Sequence, residues 1–317
     1  MFSSSSLYYG GMKMKLNKSY DKLKQAEDGS FVLEGDLVLD SYENLKIDLD
    51  EDLIITGNIK AKNIIAKCKI KANSIYACNN IIARLSIEAS ESIEAGYGIK
   101  AGEYIDADKY IKGGLSIEAG GDIECGSIEV CEYIKAGGDI EVKWSINARR
   151  DIKAGGDIEA GHYIIAGQSI KAGGDIEAGW NIEVGGDIEC RSIEAGWNIN
   201  AGYSITTSQG IEAGHYIIAG QSIKAGQGID SGDYINAGKS IDANWYIKAT
   251  QYIEAGLDIA GQSIITGRGL KAGESIKARD YIDAGTSIYC KDEIVCSELR
   301  KGEIIGGKLM IVTKTGE

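Results

Sequence analysis

The chain has 317 residues, including 43 glycines and no proline, and its formal net charge is −13. This charge argues against direct binding to nucleic acid or to an anionic membrane surface, and it favours a basic partner. The longest apolar stretches are too short to cross a bilayer, and the opening residues lack a signal-peptide pattern. We therefore expect a cytoplasmic protein whose seven cysteines are reduced thiols.

The residues before position 57 do not share the repeat that follows and are predicted to form two segments. Residues 1–16 are expected to be a disordered or vector-derived start. Residues 17–56 are expected to be an N-terminal cap, with a short helix over 17–27 followed by strands. A cap is expected because an open solenoid end exposes unpaired backbone groups and invites aggregation.

From Ile59 to Ile294 an apolar residue, almost always isoleucine, returns every five or six positions. The residue two places later is small or valine, and the flanking positions are polar. This alternation predicts a short strand that turns one large and one small residue inward. The glycine that often follows is expected to form a tight corner with a positive φ angle. The spacing does not fit the helical period, so a helix is excluded.

Three such units are predicted to form one coil, because outward residue types recur at 17 or 18 positions. Ser204 and Ser222 are 18 residues apart, and Trp180 and Trp197 are 17 apart. The prediction is an all-β fold, a single-stranded triangular β-solenoid or parallel β-helix with capped ends. It has about 18 residues per coil and about 13–14 coils over residues 57–297. Residues 298–317 are expected to be a C-terminal cap or a self-association edge.

The unit at 157–161 (DIEAG) resembles the hexapeptide-repeat β-helices, whose left-handed coils also hold three short strands. In that family the small inward residue precedes the large one, whereas here the large one comes first. The unit at 57–61 (GNIKA) is similar to the bactofilins, right-handed triangular β-helices that polymerise end to end. The first resemblance implies a left-handed coil, which we favour, and the second implies a right-handed one.

The first predicted face carries carboxylates one position after the isoleucine, in nine successive coils: Glu88, Asp106, Glu124, Glu141, Glu159, Glu177, Glu194, Glu212 and Asp230. A second line lies one position before the isoleucine: Asp122, Asp139, Asp157 and Asp175. Like charges ~4.8 Å apart repel by about 0.9 kcal/mol even in water. Such lines are either a solvated face that opposes aggregation or a surface that binds a basic protein, and we favour the second. Two carboxylates per coil give one charge per ~2.4 Å, against ~1.7 Å in duplex DNA. This charge spacing is therefore compatible with a nucleic-acid-mimicking inhibitor from a phage or mobile element.

The second predicted face carries aromatic residues. The corner position two residues before the isoleucine holds Trp144, His162, Trp180, Trp197 and His215, and neighbouring outward positions hold Tyr163, Tyr216 and Tyr234. Tryptophan does not fit a core lined by isoleucine and alanine, so these rings are expected to be stacked and partly exposed. They are either a self-stabilising ladder or a contact ridge, which we favour as the anchor of the partner contact. A glycan-binding surface is a further alternative.

We predict no catalytic residue, metal site or cofactor. His162 and His215 lie three coils apart without the long insertion expected of a hexapeptide acyltransferase, and the cysteines lack C-x-x-C spacing. Paired glycines occupy corners and not phosphate loops. The main alternative to an interaction protein is a structural subunit, bactofilin-like or part of a phage fibre, that forms homo-oligomers through its terminal edges.

Overall fold

The structure is a computed structural model that describes residues 12–40 and 42–312. Every regular element in these ranges is a β-strand, and the repeat strands pair in parallel with the strand about one coil away. Ile205, for example, pairs with Ile223, 18 residues further along the chain. The predicted all-β parallel β-solenoid is therefore confirmed, whereas the hand of the coil stays a prediction.

The chain divides into two compact units, Met1–Asp157 and Ile158–Glu317. The strands of the first unit are β1 (Met12–Leu16), β2 (Lys24–Gln25), β3 (Phe31–Leu33), β4 (Leu37–Val38), β5 (Asn44–Ile47), β6 (Leu53–Ile55), β7 (Ile59–Ala61), β8 (Asn63–Ala66), β9 (Ile70–Ala72), β10 (Ile75–Ala77), β11 (Ile81–Ala83), β12 (Ile87–Ala89), β13 (Ser92–Ala95), β14 (Gly98–Ala101), β15 (Ile105–Gly113), β16 (Ser116–Ala119), β17 (Ile123–Val130), β18 (Tyr133–Ala136), β19 (Ile140–Val142), β20 (Ile146–Ala148) and β21 (Ile152–Ala154).

The strands of the second unit are β22 (Ile158–Ala160), β23 (Ile164–Ala166), β24 (Ile170–Ala172), β25 (Ile176–Ala178), β26 (Asn181–Val184), β27 (Ile188–Cys190), β28 (Ile193–Ala195), β29 (Asn198–Ala201), β30 (Ile205–Thr207), β31 (Ile211–Ala213), β32 (Tyr216–Ala219), β33 (Ile223–Ala225), β34 (Ile229–Ser231), β35 (Tyr234–Ala237), β36 (Ile241–Ala243), β37 (Tyr246–Ala249), β38 (Tyr252–Ala255), β39 (Ile259–Thr266), β40 (Leu270–Ala272), β41 (Ile276–Tyr289), β42 (Glu293–Cys296), β43 (Glu298–Ile304) and β44 (Lys308–Ile311). In this unit, β22, β25, β28, β31, β34 and β37 form the first face. The second face includes β23, β26, β29, β32, β35 and β38.

The helix predicted over residues 17–27 is wrong, because this segment contains turns and the short strand β2. The side-chain oxygen of Asn17 accepts the backbone N–H of Ser19 at 3.1 Å, a local bond that competes with helix formation. Strand β2 then pairs antiparallel with β3 across a turn in which Gly29 has a φ of 89°. Polar residues that bond to nearby backbone therefore outweigh the helical tendency of the intervening lysines.

Parallel pairing begins before the repeat that is visible in the sequence. Strand β1, within the segment predicted to be a disordered start, pairs with β5, and β5 pairs with β8. Leu16, Leu45 and Ile64 are all fully buried along this line. Leucine therefore takes the inward role that isoleucine has later, which is why the spacing alone did not reveal these coils. Residues 1–11 lie outside the described part of the chain.

The core of each unit consists of isoleucines stacked on isoleucines, with a small residue inward beside them. Ile193 lies over Ile211, and Ala195 over Ala213, and all four are nearly inaccessible to solvent. Cysteine takes the small inward position at several places, and burial raises the thiol pKa of both Cys125 and Cys190 to about 12. These thiols therefore act as small apolar groups in the core.

The corner glycines are needed for a different reason from the one predicted. Among the described residues, positive φ angles occur only at Gly29, Gly35, Gly302 and Gly307, outside the regular repeat. At a repeat corner such as Gly179, an added Cβ would overlap the carbonyl oxygen of Gly161. Successive corners therefore approach so closely that no side chain fits between them, although the backbone conformation itself is open to any residue.

The close approach of the corners leads to a prediction about the stability of the protein. Gly179→Ala forces a methyl group against a backbone carbonyl and should destabilise the protein by about 1–3 kcal/mol, the usual range for overpacking. Gly210→Ala is the matched control, because a Cβ at Gly210 has its nearest neighbour at 3.6 Å, an ordinary contact. Urea unfolding followed by circular dichroism should show a lower midpoint for the first variant only. Equal midpoints would contradict the proposed role of corner glycine.

Candidate protein-interaction surface

Parallel pairing brings the predicted carboxylates of the first face into one column in each unit. In the first unit the column is Glu88, Asp106, Glu124 and Glu141. In the second unit it is Glu159, Glu177, Glu194, Glu212 and Asp230. Each neighbouring pair consists of direct cross-strand partners, so the carboxylates repeat at the ~4.8 Å spacing of a sheet.

Some of these carboxylates have a basic partner and others do not. Glu88 pairs with Lys69 and, at 3.2 Å, with Lys71, and Asp230 pairs with Lys248 at 2.8 Å. Six exposed glutamates make no ion pair or side-chain hydrogen bond with any described residue: Glu124, Glu141, Glu159, Glu177, Glu194 and Glu212. Unbalanced negative charge therefore accumulates along the column of each unit.

Other strands of the solenoid, β14 with β16 and β24 with β27, show that such pairing occurs in this fold. Glu118 pairs with Lys100 at 3.0 Å, and Glu189 pairs with Lys171 at 2.8 Å. Each pair joins equivalent positions of adjacent coils, as the residue numbers show. A lysine in place of every second glutamate would neutralise the first face in the same way, and the sequence does not place one there.

The repulsion within the column is visible at Asp106. Burial raises the pKa of its carboxyl group, and the neighbouring carboxylates of Glu124 and Glu88 raise it further. These neighbours act because a second negative charge nearby disfavours ionisation.

Removal of one neighbour should therefore change this pKa. In the Glu124→Gln protein we expect the pKa of Asp106 to fall towards its ordinary value, because the like charge that raises it most is lost. Carboxyl carbon NMR titration measures the shift. Glu132→Gln, which removes a charge elsewhere in the same unit, should leave the pKa of Asp106 unchanged. The column would not behave as an interacting set of charges if both variants gave the wild-type titration curve.

The second predicted line of carboxylates has a structural role that sequence reasoning missed. The Oδ1 atom of Asp122 accepts the backbone N–H of Asp139 at 2.9 Å, and that of Asp139 accepts the N–H of Asp157 at 2.8 Å. Each aspartate thus satisfies a backbone donor one coil further on. The signal in the sequence was the glycine before each aspartate, since a Cβ at Gly138 would overlap the Asp122 carboxylate.

Asp175 has the same role in the second unit and is also held by an arginine. Its Oδ1 atom accepts the N–H of Ser192 at 3.0 Å, and Arg191 Nε donates to the same oxygen at 2.8 Å. The arginine lowers the pKa of Asp175 to about 2, against the opposing effect of burial. The charge of this aspartate is therefore already used within the protein.

The aromatic corner residues of the second unit form a stacked column. The rings of His162 and Trp180 stack at 4.8 Å between centroids, and those of Trp180 and Trp197 at 5.5 Å with only 9° between their planes. His215 then meets Trp197 edge-on at 6.0 Å. Trp180 and Trp197 remain 39% and 49% exposed, so stacking covers their faces but leaves their edges open to a partner.

The predicted tyrosines lie beside this column on the second face. Tyr163 meets Trp180 edge-on at 5.3 Å, and Tyr216 stacks on Tyr234 at 5.1 Å. Trp144 belongs to the first unit, where it is 62% exposed. The structure therefore gathers seven of the eight predicted aromatic and histidine residues in one unit, with Trp144 in the other.

A hydrogen-bonded chain continues the corner column beyond the rings. His215 Nδ1 lies 2.9 Å from Asp233 Oδ2, and Gln251 donates to Asp233 Oδ1 at 2.9 Å. These bonds lower the pKa of Asp233. Asp233 and Gln251 were not recognised from the sequence, although each follows the previous corner residue by 18 positions.

The glutamate column and the ring column lie side by side in the second unit. In each of four coils the acidic residue and the corner residue are three positions apart: Glu159 with His162, Glu177 with Trp180, Glu194 with Trp197, and Glu212 with His215. We call these eight residues the acidic–aromatic surface. At the next coil its character changes, because Asp230 is paired with Lys248 and Asp233 with His215.

Residues 12–40 and 42–312 contain no group of three His, Cys, Asp or Glu side chains placed to hold a metal ion. No helix in the same ranges is long and apolar enough to span a membrane. Comparison with protein-family models, curated proteins and solved structures found no significant match.

Proposed function

We propose that this protein is a non-enzymatic interaction protein that binds a basic protein partner through the acidic–aromatic surface. The observation that carries the proposal is a column of exposed, unpaired glutamates directly beside half-exposed, stacked tryptophans. Elsewhere in the chain, Glu118 and Glu189, at the equivalent outward position of their strands, pair with lysines of the adjacent coil. A partner that supplies lysine or arginine would provide the missing positive charges.

The two columns would contribute differently to such a complex. Unpaired carboxylates at regular spacing attract a basic surface over long distance and raise the association rate more than the affinity. Half-exposed tryptophans supply apolar area at low entropic cost and are enriched among residues that dominate binding energy. The stacking between Trp180 and Trp197 holds the rings in place before binding, which reduces the ordering that binding would otherwise require.

A nucleic-acid-binding groove is the kind of basic surface that we propose as the target. Unpaired carboxylates repeat at ~4.8 Å along the column of the second unit, against ~3.4 Å between the phosphates of one strand of duplex DNA. Such a charge series approaches the density of a nucleic-acid backbone, so the protein would compete with nucleic acid for its partner.

The test replaces Glu159, Glu177, Glu194 and Glu212 together by glutamine. The immobilised wild-type protein should retain basic proteins from a lysate of the native host, and the variant should lose them because four unpaired charges are gone. A matched control replaces four exposed carboxylates outside the surface, as Asp108→Asn, Glu183→Gln, Asp242→Asn and Glu274→Gln. Mass spectrometry identifies the retained proteins.

The control variant has the same net charge as the four-glutamate variant, and it should retain the same proteins as the wild type. Added duplex DNA should displace them if a nucleic-acid-binding groove is the contact. If both variants lose the partner equally, net charge and not this surface determines binding. If neither loses it, the acidic column has no part in the contact.

A second candidate, self-association, is favoured by the last strands. Leu309 and Ile311 of β44 pair with Ile294 and Cys296 of β42. The two residues of β42 are fully buried, whereas Leu309 and Ile311 are exposed. Inward positions of a solenoid coil are thus open to solvent, next to an edge strand. A second copy of the chain could cover them by strand pairing, as in an end-to-end structural polymer.

Sedimentation velocity at increasing protein concentration tests this candidate. The wild type should form dimers or longer species, and the Leu309→Lys/Ile311→Lys protein should stay monomeric, because charge is introduced at the apolar edge. Ile65→Lys/Ile82→Lys is the control, since these residues are exposed on the outward side of the first unit. A wild-type protein that stays monomeric at its solubility limit would rule self-association out.

A further inference from the structure

A groove interrupts the first face of the second unit at the position before the isoleucine. This position holds Asp175, Ser192, Gly210, Gly228 and Tyr246 in five successive coils. Gly210 and Gly228 therefore leave this outward position, directly before β31 and β34, without a side chain of its own. The resulting groove has a volume of about 190 Å³.

Carboxylates line one side of this groove, and a glutamine and a tryptophan line the other. Along one side stand Glu194, Glu212 and Asp230, of which Asp230 is paired with Lys248. Gln227 and Trp245 lie at the opposite side, at the corner of the coil. The two remaining carboxylates, those of Glu194 and Glu212, have no basic partner among the described residues, so negative charge faces the open groove.

An aromatic ring closes one end of the groove. The ring of Tyr246 lies over Gly228, in the space that a Cβ at this glycine would occupy. Gly210 is different, because its nearest neighbour would be 3.6 Å from an added Cβ. Gly228 is therefore required by the tyrosine ring, whereas Gly210 could carry a side chain without a clash. The open space above Gly210 is not imposed by packing.

We propose that this groove is the subsite that receives an arginine side chain of the basic partner, an inference that rests on the proposed function. A guanidinium group is flat, so it fits over a surface without side chains and stacks against a tyrosine ring. Its planar fork of donors matches carboxylates, and two of these stand one coil apart along the same side. A lysine ammonium offers neither the flat shape nor the paired donors, so arginine is the preferred ligand.

The test uses three short peptides as probes: acetyl-Gly-Arg-Gly-amide and its analogues with lysine and with citrulline in place of arginine. Binding is followed by NMR titration of the backbone amides of Gly210 and Gly228. We expect the arginine peptide to shift these amides at the lowest concentration and to bind about tenfold more tightly than the citrulline peptide. Equal binding of the arginine and citrulline peptides would overturn the inference, because charge would then have no role.

Three variants locate the site. Gly210→Thr fills the groove and leaves every charge in place, and Glu194→Gln/Glu212→Gln removes the charges and leaves the space. Each should weaken arginine-peptide binding about tenfold. The control, Asp242→Asn/Glu274→Gln, removes two exposed carboxylates outside the acidic–aromatic surface and the groove, and it should bind the peptide as the wild type does. Undiminished binding to the folded Gly210→Thr protein would overturn the inference. If that variant does not fold, Tyr246→Leu, which removes the stacking ring, takes its place with the same expectation.

Capture of the basic partner separates this inference from the proposed function. If the Gly210→Thr protein loses the arginine peptide and also binds the partner less well, the groove is part of the contact. If it loses the peptide but retains the partner fully, the partner does not use the groove and the inference is wrong. The four-glutamate variant still decides the proposed function in that case.

Discussion

The structure depends on one constraint, the stacking of equivalent residues of successive coils in a parallel ladder. Because each buried isoleucine lies over another isoleucine, the register between coils is set by the core and cannot slip without moving apolar side chains outward. Five-residue steps are tolerated because they shorten a corner and keep the inward alternation. Everything on the surface follows from this register.

A consequence is that the surface is organised in columns. When one residue type recurs about every 18 positions, its side chains form a line on the surface, separated by the distance between neighbouring strands. A preference at one sequence position therefore becomes an extended surface feature. Carboxylates repeated in this way build unbalanced charge, and rings repeated in this way stack. Where the chain alternates lysine and glutamate, as at Lys171 and Glu189, the same geometry neutralises the column. Whether a face is neutral or carries the unbalanced charge of a candidate binding surface therefore depends on which residue types are separated by about 18 positions.

Much of the candidate surface could be predicted from spacing alone. Trp180 and Trp197 are stacked because 17 positions separate them, and the glutamates of each unit form a column for the same reason. The prediction failed where a residue's role depends on atoms of another coil. Asp122 was interpreted only as a surface charge, although it also accepts a backbone N–H of the next coil. The helix over 17–27 failed because Asn17 bonds to its own neighbouring backbone.

The sequence by itself determined the fold class, the number of strands per coil and the identity of each column, because a strict repeat leaves only one way to bury every isoleucine. Only the tertiary structure decided how closely the coils approach one another. That distance explains why Gly179 must lack a side chain, although its φ angle is ordinary, and why Gly210 leaves an open groove. It also decides which carboxylates find a partner. These properties depend on the distances between residues about 18 positions apart. A repeat pattern predicts that such residues are neighbours, but it does not give the distance between their atoms or the space left for a side chain.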